Sequence, residues 1–224
     1  MKTTEQIKET PWDAKVFGMK TYEITSLSED VIEEIQKLQG HFTVRVDPLS
    51  SKKILHDNGF YYCDTLIEPF CTPDRFVAHD DPSVSVSRTV AEKDLMEIAH
   101  GVFVHGRFHR DFQMRRELAD LRYDVWLKQL HASGNVMGLM YERELAGFFG
   151  LDESKIVLHA VGDKYRGKGL TKYLWSAGCK DLFQSGHEEI SSSISAANAA
   201  ILNVYASLGF RFKNPLDIYH RLNR

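Results

Sequence analysis

The stretch that most constrains this chain runs from Lys155 to Thr171. A seven-residue run, Lys155–Val161, leads into Asp163-Lys164-Tyr165-Arg166-Gly167-Lys168-Gly169-Leu170-Thr171, and a helical pattern follows from Gly169 to Ser185. A short apolar run reads as a strand buried on both faces. Two glycines one residue apart let the backbone approach a ligand closely. A helix start supplies unpaired N–H groups and the positive end of the peptide dipole. Arg166 and Lys168 add full charge. Strand, cradle and helix in that order suit a pyrophosphate, although a solvated basic turn would use the same residues. A dinucleotide-binding turn fits less well. Gly167 and Gly169 match two of its three glycines, but Lys172 stands where close helix packing wants a small residue. A triphosphate loop is excluded, because no Gly-Lys-Ser/Thr closes the turn.

The rest of the chain divides at a turn-rich stretch, Thr72-Pro73-Asp74 and His79–Ser83, which predicts a small domain over 1–80 and a larger one over 81–224. The first segment reads β-α-β-α-β: a strand at Thr21–Thr25, a helix at Glu29–Leu38, a strand at Phe42–Val46, a helix at Ser50–Asn58 stopped by Gly59, and a strand at Phe60–Phe70. The second reads strand Val84–Val90, helices Glu92–Val104 and Phe112–Leu130, and a hairpin of Asn135–Tyr141 with Leu145–Leu151. Strand Lys155–Val161, helix Gly169–Ser185, strand Glu188–Ser195 and helix Asn198–Leu208 follow, and Phe210–Lys213 and Asp217–Leu222 form the last strands. Ile54–Phe60 echoes Val204–Phe210, both reading helix, Gly-Phe, strand. The echo fits an ancient half-duplication or chance.

Composition narrows the function classes. The 224 residues are 43% hydrophobic and 26% charged, an ordinary globular balance. A net charge of -3 supplies no basic field for nucleic acid. No run approaches the roughly 20 apolar residues of a membrane helix, and the polar start, MKTTEQIKETPWD, lacks a signal peptide's apolar segment. Cys63, Cys71 and Cys179 show no metal spacing. Buried thiols in a reduced, cytoplasmic protein with no metal are expected.

A second motif places Asn198 seven residues before Tyr205, with Gly209-Phe210 after it. Seven residues are about two helical turns, so an amide and a phenol share one face. A helix N-cap and a core aromatic are the plainer roles for these two residues. Taken together, Leu158-His159-Ala160-Val161, Arg166-Gly167-Lys168-Gly169-Leu170 and Asn198…Tyr205…Gly209-Phe210 resemble the GNAT superfamily of N-acetyltransferases, as does the element order from Val84 to Leu222. Lys164 and Thr171 depart from that pattern, which commonly has Gln or Arg at the first position and a further glycine at the second.

The resemblance implies an α+β fold with a mostly antiparallel, partly splayed sheet behind a small βαβαβ domain. It implies acetyl-CoA as cosubstrate and direct attack by a primary amine. Cofactor contacts are expected at Leu158, Ala160, Val161, Tyr165, Arg166, Gly167, Lys168, Gly169, Leu170, Thr171, Asn198 and Asn203. Tyr205 matches the tyrosine that acts as general acid toward the leaving thiolate, and His159, His109 and Glu68 are the candidate bases. A looser likeness, in Pro11–Gly18 and Gly106–Asp111, is to acetyltransferases of dTDP-linked amino-deoxysugars, the dTDP-fucosamine type. It implies a nucleotide-sugar acceptor met by Arg107, Phe108 and His109. Arg110, Arg115, Arg116 and Arg122 are close by, although charge runs are as often solvated helix faces. Other acceptors weighed are a protein N-terminus, a polyamine or an aminoglycoside; a non-catalytic CoA-binding module is the remaining alternative. The N-terminal domain is expected to shape the acceptor site or to support a homodimer.

Overall fold

The structure, a computed structural model, describes residues 5–224. The chain forms two compact units. Unit 1 takes the described residues up to Leu66, Val104–Arg122 and Pro215–Arg224; unit 2 takes Ile67–Phe103 and Tyr123–Asn214. The expected division at residue 80 follows the chain, whereas these units are grouped by strand pairing, which joins segments far apart in sequence.

Unit 1 contains β1 (Ile7–Glu9), α1 (Pro11–Phe17), β2 (Thr21–Ile24), α2 (Glu29–Lys37), β3 (Gly40–Val46) and α3 (Lys53–Asp57). It also holds the first half of β4 (Tyr61–Cys71) and the end of the last strand, β11 (Arg211–Asn223). The sheet order is β1-β2-β3-β11-β4. β2 and β3 run parallel along all four residues of β2, from Thr21↔His41 to Ile24↔Val44. α2 crosses between them, and the Ser28 hydroxyl accepts from the Val31 N–H to cap it. Val31 and Ile35 of α2 are fully enclosed against Phe42 and Leu55. Each such side chain is worth about 1.5–3 kcal/mol of burial. β1 and α1 were not read from the sequence; both are short and lie close to the start of the chain.

Unit 2 holds the rest of β4, then β5 (Val84–Ser87), α4 (Glu92–Ala99), β6 (Val136–Tyr141), β7 (Glu144–Asp152), β8 (Lys155–Val161), α6 (Thr171–Gln184), β9 (Ile190–Ser192), β10 (Ile194–Ser195) and α7 (Ala199–Ser207). The intervening helix, α5 (Arg116–Ala132), gives its first seven residues to unit 1 and the rest to unit 2. The sheet is open and mostly antiparallel, in the order β4-β9-β8-β7-β6-β5. Its two faces bury separate cores. Phe149, Ile156 and Met137 pack with Trp175 and Cys179 of α6 and Tyr205 of α7, while Phe148, Leu158 and Ala160 pack with Leu95 of α4 and Leu127 of α5. Burial on both faces is why Lys155–Val161 lacks polar alternation. All three cysteines are free and buried.

The echo in the sequence is matched by backbone geometry. Gly59 (φ 72) follows α3 and Gly209 (φ 84) follows α7. Phe60 N–H then donates to Leu55 C=O at 3.0 Å, and Phe210 N–H to Tyr205 C=O at 3.1 Å. In unit 1 the parallel pair β2–β3 is followed by antiparallel β11; in unit 2 the parallel pair β8–β9 is followed by antiparallel β4. The same supersecondary unit thus occurs twice.

Several boundaries differ from expectation. The helix expected over Phe112–Leu130 starts at Arg116, because the Asp111 carboxylate accepts the Gln113 N–H and holds a turn there. The helix expected to reach Val104 ends at Ala99, where Gly101 takes a positive φ. Glu188–Ser195 is two short strands, and the two expected terminal strands are one, with Asn214 in the left-handed region inside it.

Candidate functional site

The site is built on a parting of two parallel strands in unit 2. β8 and β9 pair only at Lys155↔Ser191 and Ile156↔Ser192. The Ser192 hydroxyl donates to Ile156 C=O at 2.7 Å and closes the last rung. Beyond it, β8 keeps its partner β7 through Gly147↔Val161, while β10 pairs with β4. Leu158–Val161 therefore present one backbone edge with no β9 partner among the described residues. Such an edge receives an extended amide chain as an added strand would. The counterpart pair in unit 1, β2–β3, stays together to the end of β2. The repeated element is closed in one half of the chain and parted in the other.

The turn after β8 has the backbone geometry of a candidate anion cradle. A single 3-10 turn, Asp163–Tyr165, leads to Gly167 (φ 71) and Gly169 (φ 73), and α6 begins at Thr171. A Cβ built at either glycine meets nothing within 4 Å, so this side of the turn is open. No side chain caps α6, whose N-terminal N–H groups are left for an anion. The cations of the turn are largely committed elsewhere. Lys164 and the Tyr165 hydroxyl both contact the Glu144 carboxylate, Arg166 pairs with Asp163 at 2.7 Å, and Arg166 Nε donates to Val161 C=O at 2.9 Å. Lys168 makes no ion pair among the described residues. The backbone, more than the side-chain charge, makes the cradle. A cleft of about 630 Å³ reaches the turn through Gly162, Lys164 and Arg166, with Val90, Ile98 and Val102 on its other wall. Its lining does not include Tyr205 or His159.

Tyr205, on α7, belongs to the core between the sheet and α6 in unit 2. Its ring is fully buried, 4.9 Å from the Phe210 ring and 6.2 Å from His159. A groove-facing phenol was expected; the ring instead sits in the core, as its counterpart Leu55 does. Its hydroxyl makes no hydrogen bond among the described residues, and neither does the buried indole N–H of Trp175. Burial pushes the phenol's pKa well up. The Ser192 hydroxyl and Trp175 indole are near enough to oppose that rise without forming a bond. His159 is half-buried on β8, 5.2 Å from the Trp175 ring, and burial lowers its pKa to about 4, so the imidazole is neutral at pH 7. The sequence reading missed Trp175 and Ser192. Trp175 reads as an ordinary core position of α6, and Ser192 gains meaning only from the end of strand pairing.

The other expected site residues are placed as follows. Asn198 caps α7, its side-chain oxygen accepting from the Ile201 N–H at 3.3 Å, and Asn203 is exposed on α7. Glu68 is held by Lys213 at 3.3 Å and by the Asn214 amide at 3.3 Å. Arg107, Phe108 and His109 belong to unit 1. Phe108 is corrected as a stacking surface: it is 2% exposed, packed on Phe17 and His220. His109 Nε2 lies 3.0 Å from Asp120, in a buried position that lowers its pKa.

Residues 113–218 match the acetyltransferase (GNAT) domain. No curated protein matches the sequence. Solved structures resemble the fold at low identity. A GCN5-related N-acetyltransferase from Sphaerobacter thermophilus is 12% identical, with a TM-score of 0.58 over 87% of this chain and 65% of that one. A tandem GNAT protein from the clavulanic acid biosynthesis pathway is 12% identical, with a TM-score of 0.55 over 90% and 75%. A conserved protein of unknown function from Staphylococcus epidermidis is 10% identical, with a TM-score of 0.63 over 96% and 88%. The fold is the one shared with GNAT-type acetyltransferases, and the acetyltransferase (GNAT) domain match covers a little under half of the chain. No helix among the described residues is long and apolar enough to cross a membrane.

Proposed function

We propose that this chain moves an acetyl group from acetyl-CoA to a primary amine, in unit 2, beside the parted edge of β8. The observation that carries the proposal is the loss of β8–β9 pairing after Ile156, next to an uncapped helix start. Acetyl-CoA, when bound, supplies the activated acyl group as a thioester. The edge of Leu158, Ala160 and Val161 pairs with its amide chain, and the Gly167–Thr171 backbone holds its phosphates. A β8 N–H stabilises the oxyanion that develops at the acyl carbon. The Tyr205 hydroxyl, buried and unbonded, is the proton donor to the departing sulfur. Such a group costs about 1–3 kcal/mol where it stands, and a role in the reaction accounts for keeping it. His159 is the candidate base placed on β8; its lowered pKa leaves it neutral at pH 7 but makes it a weak proton acceptor.

For the acceptor we put first the amino group of a nucleotide-linked amino-deoxysugar. The support is the arginine content of His105–Arg122, which suits an anionic acceptor. Three of those arginines are held by carboxylates, Arg110 by Asp64, Arg116 by Asp120 and Arg122 by Asp13. The dTDP-fucosamine specificity gains no support from the comparisons. Thiol release from acetyl-CoA, measured against dTDP-amino sugars, free amino sugars, polyamines and peptide N-termini, tests both levels. Turnover with the nucleotide sugars alone is the expected pattern. Turnover with a cationic amine instead overturns the acceptor, and binding of CoA without turnover on any amine overturns the enzyme.

A further inference from the structure

Acetyl transfer leaves one buried polar cluster of unit 1 unused. His41 is the second residue of β3, Asp111 lies in the loop before α5, and His220 is on β11. They are 2%, 2% and 0% exposed. His41 Nε2 stands 2.9 Å and His220 Nδ1 2.8 Å from the same oxygen, Asp111 Oδ2. One candidate ligand atom from each residue falls within 4.8 Å of the others. The second carboxylate oxygen is fixed from behind: Asp111 Oδ1 accepts the Tyr61 O–H at 2.9 Å and the Gln113 N–H at 2.8 Å. The Phe108 ring, itself packed on Phe17, lies 5.7 Å from His41 and 5.2 Å from His220.

Charge and geometry converge here. A carboxylate taken out of water costs several kcal/mol unless positive charge accompanies it. Asp111 has no Lys or Arg nitrogen within 4.0 Å among the described residues; the partners of its Oδ2 are the two imidazole nitrogens. Neighbouring Arg110 is paired with Asp64 at 2.6 Å. Two imidazole nitrogens and one carboxylate oxygen, with the remaining oxygen held by outer donors, form a borderline donor set with its supporting shell. Ligand bonds of about 2.0–2.2 Å at tetrahedral angles set donor atoms about 3.3 Å apart. Each imidazole–carboxylate separation is therefore within about half an ångström of that spacing, and the two ring nitrogens lie within 4.8 Å of each other.

We infer that His41, Asp111 and His220 bind one divalent transition-metal ion, with Zn²⁺ the best match and a fourth position left for water. The ion ties β3, the loop before α5 and β11 together across stretches otherwise far apart in sequence. Its role is to hold unit 1 together, and it does not depend on the acetyl-transfer reading.

The test uses the full chain, stripped with EDTA and titrated with ZnCl₂ by calorimetry, with melting followed in parallel. One equivalent of Zn²⁺ is expected to bind and to raise Tm, and Co²⁺ is expected to give the visible absorption of a four-coordinate site. His41→Gln and His220→Gln should each weaken binding at least tenfold, while His187→Gln should not change it. A wild-type chain whose melting and calorimetry ignore both Zn²⁺ and EDTA overturns the inference, as does undiminished binding by His220→Gln. The wild-type result decides alone if a variant fails to fold.

Discussion

Tyr205 shows how much one atom carries here. Its counterpart in the other half of the chain is Leu55, equally buried and with the same hydrogen-bond geometry behind it. A core position therefore suffices to explain the ring but not the hydroxyl. Tyr205→Phe removes a buried, unbonded polar atom, so stability should hold or rise by about 1 kcal/mol. Turnover should fall while acetyl-CoA binding persists. Calorimetric melting and a thiol-release assay read the two effects separately, and a variant that keeps full turnover removes Tyr205 from the reaction. His159 makes a prediction about pH. Its ordinary pKa of 6.5 is lowered to about 4 by burial. The unfolded chain thus takes up a proton that the folded chain refuses. Stability from this group is complete above about pH 6.5 and is lost as pH falls toward 4. His159→Gln should flatten the decline of Tm over that window; an unchanged slope would show that other groups set it. Neither the depressed imidazole nor the orphan hydroxyl could be read from residue order, because both are products of enclosure.

At the scale of elements, the glycine turn before α6 was the most legible part of the chain. Glycine at positions 167 and 169, followed by an amphipathic run, specifies a left-handed turn and a helix start by local sterics alone, and both are present. Gly169→Val forces a branched side chain toward φ 73, at a strain of about 1–2 kcal/mol. If that strain falls on the cradle, acetyl-CoA affinity should drop about tenfold. Isothermal titration against the parent chain measures it, and an unaltered affinity would move the phosphates elsewhere. The parting of β8 and β9 was much less legible. Glu188–Ser195 reads as one strand, and nothing local marks Ser192 as the last paired residue. Strand separation depends on which neighbour claims the backbone, and β10 is claimed by β4. The expectation that Phe108 meets a ligand failed for a related reason. An aromatic between Arg107 and His109 looks exposed in sequence, yet Phe17, His41 and His220 enclose it.

Across the whole molecule, the two similar strand–helix–strand units should respond differently to the cofactor. β2–β3 is fully paired and has no free edge facing a gap, whereas β8 has one. Adding CoA should therefore slow amide exchange over residues 157–171 and leave 21–24 and 40–46 unchanged in mass-spectrometric exchange. Protection of both halves would mean that both bind. The sequence alone determined the types of most elements, though not β1 or α1, together with the glycine turn and the echo between residues 54–60 and 204–210. Each of these rests on near-neighbour physics: periodicity, backbone sterics and helix termination. Only the tertiary structure decided which pair of parallel strands stays closed, and that the compact units draw on interleaved stretches of chain. It alone gathered His41, Asp111 and His220 around one oxygen. Those outcomes depend on pairings between residues as distant as Gly40 and Asn223, and a pattern read along the chain carries no term for which distant edge reaches a strand first.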